Sequence, residues 1–117
     1  MAFKFENLKV WQSAVKLSGQ ISELTEGFPK KEMFVLTSQI QRASDSIALN
    51  IAEGSTGQTN PGFRRFLSFA LRSAIEVVSC LHLAKRRKLI NEEQFDHFYN
   101  HLTILIKSIQ ALRNSIK

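Results

Sequence analysis

The sequence predicts an all-α fold, an up-down-up-down antiparallel four-helix bundle. Three observations carry that prediction. Apolar residues recur at spacings of three and four in four separate stretches, no stretch shows the period-two alternation of a half-buried strand, and the breaks between stretches hold helix stop and start residues. The chain of 117 residues fits one domain over 1–117, with helices at about 8–26, 31–53, 61–88 and 92–116. Spacings of three and four are the seam of nearly antiparallel packed helices, and mostly short connections make sequential helices neighbours.

The first helix is expected to start at Asn7, a good N-cap. Its core row is Val10, Ala14, Leu17, Ile21 and Leu24, with Trp11 beside it, Phe28 just beyond, and Gly27 and Pro29 as the stop. Phe3 and Phe5 read as a short arm that packs on this subunit or another. The second helix starts near Lys31 and carries Met33, Thr37, Ile40, Ser44, Ile47 and Ile51, with Leu36 beside them and Gly54 as its end. A polar segment, Ser55 to Gly62, is the one long connection. Asn60-Pro61 then reads as N-cap and first helical position of the third helix, whose row is Phe63, Leu67, Ala70, Ala74, Val77, Leu81 and Ala84. Asn91-Glu92-Glu93-Gln94 announces the fourth as a capping box, followed by Phe95, Phe98, Leu102, Leu105, Ile109, Leu112 and Ile116.

Charge is the most informative feature outside the core. The formal net charge is +6, and basic and acidic residues balance everywhere except Ser55 to Ile90. There, Arg64, Arg65, Arg72, Lys85, Arg86, Arg87 and Lys88 face Glu76 alone. On a helical wheel Arg65, Arg72, Ser79 and Arg86, seven apart, fall opposite the core row and form a basic stripe along about six turns. Arginine forks suit phosphate, and such a line follows a nucleic-acid backbone without reading bases. The alternative is a solvated face kept soluble by its charge.

Other groups carry less. Phe66 and Phe69 lie off the core row near Glu76, which points to a subunit interface. His97 and His101 have metal-pair spacing, but no His-Glu-x-x-His is present and Asp96 points off their face, so they read as surface histidines and no metal or cofactor is expected. Cys80 has no His or Asp partner in sequence and reads as a packed side chain. No Gly-Lys-Ser/Thr follows the Gly54–Gly62 loop, which excludes a phosphate-binding loop. Glu53 and Glu76 would pair as carboxylates if the second and third helices are antiparallel neighbours; the preferred alternative is ion pairs with Arg42 or Arg72. Arg42, Ser46 and Asn50 form an i, i+4, i+8 row read as polar groups that fix helix packing. No catalytic constellation emerges, so the chain reads as a non-enzyme. A lone cysteine implies no disulfide framework and a cytoplasmic setting. The N-terminus lacks signal-peptide character, and no apolar run approaches about 20 residues, so no membrane association is expected.

Phe28-Pro29, Gln39-Ile40-Gln41-Arg42-Ala43, Ser46-Ile47, Asn50-Ile51-Ala52-Glu53-Gly54, Phe66-Leu67, Ala70, Ser73-Ala74 and Glu76 together resemble the four-helix-bundle family of proteins encoded in intervening sequences of bacterial 23S ribosomal RNA genes. Phe5, Leu8, Val10-Trp11 and Ala14 resemble that family's opening. The family is similar to the accessory variability proteins of diversity-generating retroelements. The resemblance implies a four-helix bundle, a homo-oligomer with a pentamer favoured, and structured RNA or a protein such as a reverse transcriptase as partner. It leaves a second function open, a scaffold that docks a partner protein without nucleic acid. This chain has Ser55-Thr56-Gly57-Gln58 where family members often carry basic residues, and Arg72-Ser73 where Gly-Ser is common.

Overall fold

A computed structural model describes residues 3–117. Among them the regular structure is entirely helical: α1 (Lys9–Thr25), α2 (Ser38–Ser55), α3 (Asn60–Arg86) and α4 (Glu92–Ser115), with short helical turns at Lys4–Asn7, Lys30–Glu32 and Met33–Thr37. Each helix packs against the next in the chain, and α4 returns to α1, which closes a four-helix bundle. The bundle measures 43 × 22 × 22 Å, its long axis matched to the roughly 40 Å of the 27-residue α3.

The core follows the 3-4 rows. Leu17, Ile21, Ile40, Ile47, Ile51, Leu67, Val77, Leu81, Leu102 and Ile109 are wholly buried. Ser44 lies among them without an unsatisfied hydroxyl, because its Oγ donates to the carbonyl of Gln41 at 2.9 Å. The α2 row departs from its expected course at the start. Met33 is 46% exposed and Leu36 takes the buried place. The cause is a π turn at Met33–Thr37, which inserts one residue into the helical register and turns residues 33–35 outward.

The helix ends correct three expectations. Leu8, not Asn7, precedes α1, because the chain already turns at Lys4–Asn7; this end is held by Gln12 Nε2, which donates to the Glu6 carbonyl at 2.8 Å. The arm folds back on its own chain, with Phe5 edge-on to Trp11 at 4.9 Å. Thr59, not Asn60, caps α3, its Oγ1 accepting from Gly62 N at 3.1 Å, and the Asn60 amide donates instead to the Lys117 carbonyl at 3.0 Å. Asn91 and Gln94 form a reciprocal capping box at α4, with bonds of 2.7 and 2.9 Å.

The third correction concerns Gly54, which lies inside α2 and does not end it. It is buried where α2 crosses α3, and a β-carbon there would stand 2.5 Å from Phe66 Cβ and 3.1 Å from Phe63 Cδ1. Glycine is required by the close approach of the two helices. At the far end of α3, the Leu89 N–H reaches the Ala84 carbonyl at 2.9 Å and the Lys88 N–H reaches Lys85 at 3.0 Å, a Schellman motif. Lys88 occupies its left-handed position, with φ 60°, where glycine is usual.

By length and composition α3 is apolar enough to cross a membrane, with a mean hydropathy of 1.5 over an 18-residue window. That average spans Arg72 and Glu76, so the helix holds no uninterrupted apolar run of about 20 residues. Its apolar residues Phe63, Leu67, Val77 and Leu81 are spent on the bundle core.

The glycines generate matched tests of stability. Gly54→Ala is expected to destabilise the protein by about 1–3 kcal/mol through overpacking. Gly19→Ala, in α1 with nothing within 4 Å of the added carbon, is expected to stabilise it by about 0.5–1 kcal/mol. Urea denaturation followed by circular dichroism reads both; equal signs would contradict the close-approach role of Gly54. Lys88→Gly is expected to stabilise by about 1 kcal/mol by relieving the left-handed conformation.

Candidate nucleic-acid interface

The α3 stripe is solvent-facing along its length. Arg65, Arg72, Ser79 and Arg86 are all exposed, and 21 residues of helix separate the first arginine from the last, about 31 Å. Alternate faces of one helix explain the placement: Phe63, Leu67, Ala70, Ala74, Val77, Leu81 and Ala84 turn inward, so residues seven apart on the opposite side turn out.

The structure divides the seven basic residues of this region by what they touch. Three are engaged within the fold. Arg64 Nη1 donates to the Ile116 carbonyl at 3.1 Å and ties the end of α4 to the start of α3. Arg87 pairs at 3.1 Å with Glu32, whose side chain is only 10% exposed. Lys85 pairs with Glu92 at 3.0 Å and lies 4.5 Å from the centre of the Phe95 ring. The other four, Arg65, Arg72, Arg86 and Lys88, have no acidic partner among the described residues.

Arg65 and Arg72 are nevertheless held in place. Their guanidinium carbons lie 5.6 and 5.9 Å from the centre of the Phe69 ring, which in turn meets Phe66 edge-on at 5.7 Å. Cation–π contact orients each fork while leaving its N–H groups directed to solvent. The i, i+4 and i, i+3 spacing of residues 65, 69 and 72 carries this signal in the sequence. Phe66 and Phe69 are each half-buried. At the C-terminal end, His82, Lys85, Arg86 and Lys88 line an open depression of about 360 Å³.

The remaining site candidates are dispersed. Asn50 Nδ2 donates to the Ser46 carbonyl and to Ser46 Oγ, both at 2.9 Å, and Ser73 Oγ on α3 donates to Ser46 Oγ at 2.9 Å. This chain of bonds joins α2 to α3. Arg42 and Glu53 are exposed. Glu76 receives a long bond from Gln39, at 3.4 Å. Gln39 is 14 residues, about 21 Å, from Glu53 along α2, so the two glutamates do not form a carboxylate pair. No ion pair among the described residues joins either of them to Arg42 or Arg72.

His101 is partly buried and its Nε2 bonds Ser13 Oγ at 3.2 Å; burial, then the neighbouring His97 and Lys16, hold its pKa below the usual histidine value. His97 is exposed on the adjacent turn. Cys80 is buried, and burial, with Glu76 nearby, pushes its thiol pKa up, which suppresses the thiolate. No group of three or more His, Cys, Asp or Glu with metal-binding geometry occurs among the described residues.

The bundle and its stripe can now be set beside known proteins. The chain is similar over 90% of its length, at 27% identity and a TM-score of 0.83, to the crystal structure of a protein of unknown function from the S23 ribosomal protein family of Bacteroides thetaiotaomicron, 95% of which is covered. No curated protein sequence matches the chain. The family model for the 23S rRNA-intervening sequence protein matches residues 6–111. That match spans nearly all of α1 to α4, and the chain belongs to the 23S rRNA-intervening sequence protein family.

Proposed function

We propose that the protein is a non-enzymatic, cytoplasmic homo-oligomer that binds RNA through the phosphate backbone. The observation that supports this reading is the position of the surplus charge. The +6 net charge equals the surplus on residues 55–90, and four of the seven basic side chains there are exposed and have no acidic partner among the described residues. Three of the four, Arg65, Arg72 and Arg86, are heptad-spaced on one helix face.

The chemistry fits a backbone better than a base edge. Along the helix Arg65 and Arg72 are about 10.5 Å apart, and Arg72 and Arg86 about 21 Å, too far to converge on one phosphate but suited to separate contacts along a strand. Phe69 pre-orients two of them, which lowers the side-chain entropy lost on binding. Of the seven basic residues, Arg64, Lys85 and Arg87 serve the fold, and binding falls to Arg65, Arg72, Arg86 and Lys88.

Fluorescence anisotropy with a structured RNA at several salt concentrations tests the reading. Wild type is expected to bind with log affinity falling linearly in log salt. The triple change of Arg65, Arg72 and Arg86 to Glu is expected to lower affinity at least about tenfold and to flatten the salt slope by about 1 per contact removed. Arg87→Ala is expected to cost about 1–3 kcal/mol of stability by stranding Glu32, with affinity nearly unchanged. Absence of binding at low salt, together with recovery of a partner protein free of nucleic acid, would instead support the scaffold reading.

The homo-oligomer rests on the family resemblance, which favours a closed ring of five. Light scattering on nuclease-treated protein is expected to give five times the 13.3 kDa chain mass. A monomer mass would overturn it.

A further inference from the structure

Among the described residues, Ile75, Leu83, Tyr99 and Ile104 are apolar residues exposed singly or on other faces, whereas two places gather several exposed apolar side chains each and complement each other. The first is a knob. Met33, Phe34 and Val35 are exposed in succession at 46%, 89% and 54%. They ride on the π turn that leads into α2, and π turns commonly mark functional positions because their poorer geometry must be compensated. Lys30 and Lys31 flank the knob, are exposed, and have no acidic partner among the described residues.

The second is a groove between α1 and α2. It has a volume of about 330 Å³ and is lined by Trp11, Val15, Ser18, Asp45, Ala48 and Leu49. Leu49 is 66% exposed and Val15 43%. Past Leu49 the surface continues into a depression that includes Phe3 and Glu53. The charged groups lining these two hollows, Asp45 and Glu53, are both acidic, opposite in sign to the lysines beside the knob.

We infer that the Met33–Val35 knob of one copy docks in the α1–α2 groove of a second copy. This deepens the homo-oligomer reading and rests on it. A knob cannot fill the groove of its own chain, because Phe34 precedes Leu49 by 15 residues of a continuous helical segment, about 20 Å. Both surfaces are therefore unsatisfied within one protomer, and each offers what the other lacks: a projecting aromatic beside the cations Lys30 and Lys31, and an apolar hollow bordered by anions. The contact joins two different patches, so it leaves a free knob and a free groove on any open assembly and propagates until the assembly closes. It also places the subunit contact at a site distinct from Phe66 and Phe69, whose flank carries the stripe arginines.

Light scattering on nuclease-treated protein tests the inference with Phe34→Glu and Leu49→Glu. Both positions are exposed, so circular dichroism and thermal melting are expected to match wild type. Each variant alone is expected to fall to the 13.3 kDa monomer. Mixed in equal amounts, the groove of the first and the knob of the second restore one contact, and a 1:1 dimer is expected. A wild-type oligomer that keeps its mass in either variant, or variants that stay monomeric on mixing, would overturn the docking while leaving the homo-oligomer in place. A monomeric wild type would overturn both.

Discussion

The close approach of α2 and α3 is the constraint on which the rest of the molecule depends. Backbone meets side chain at Gly54, where no β-carbon fits against Phe66. One side of the contact is sealed by Phe63 and the other runs along a row of small or polar residues, Ser46, Asn50 and Ser73, linked by bonds of 2.9 Å. Two helices held this close have little freedom to slide, so their register is set. That register fixes which face of α3 turns outward. The basic stripe is exposed because the opposite face of the same helix is locked into this contact and into the core.

The helices were legible because their signal is local and repeated. Each row contains at least four apolar residues at 3.6-residue periodicity, and a single misplaced residue does not change the reading. Helix ends depend on one or two residues and are correspondingly fragile. Thr59 and Asn60 are both good caps, and only the tertiary bond from Asn60 to Lys117 decides between them. Gly54 shows the same ambiguity in another form. A glycine near the end of a helical pattern serves equally as a stop or as a site of close packing, and the deciding partner, Phe66, belongs to another helix.

The candidate site was legible as a charge surplus but not as a set of working residues. Composition locates the +6, and the wheel places Arg65, Arg72 and Arg86 on one face. What it cannot supply is the long-range partner. Arg87 meets Glu32 across 55 positions and Arg64 meets Ile116 across 52, distances over which sequence spacing holds no information. These residues add to the formal charge while their guanidinium groups are bonded within the fold. The π turn was hidden for a related reason: Met33-Phe34-Val35-Leu36 is apolar throughout, so either register satisfies the pattern, and packing of Leu36 selects one.

The two proposed surfaces share no residue, and their chemistry keeps them separate. The stripe gains its attraction from exposed cations, whose interaction with phosphate weakens as salt rises. The knob and groove gain theirs chiefly from apolar area, which salt does not screen. An assembly built on the second therefore persists under conditions that release a polyanion from the first. Repetition of the chain by that contact would also repeat the stripe. Several stripes on one assembly convert weak backbone contacts into a multivalent surface, in which each added site binds at the effective concentration set by its neighbours. The four unpaired basic side chains of the α3 region are few for a nucleic-acid interface. Multiplied by the proposed oligomer they would form a larger one, and this is the physical reason for which the proposed self-association and the RNA reading belong together.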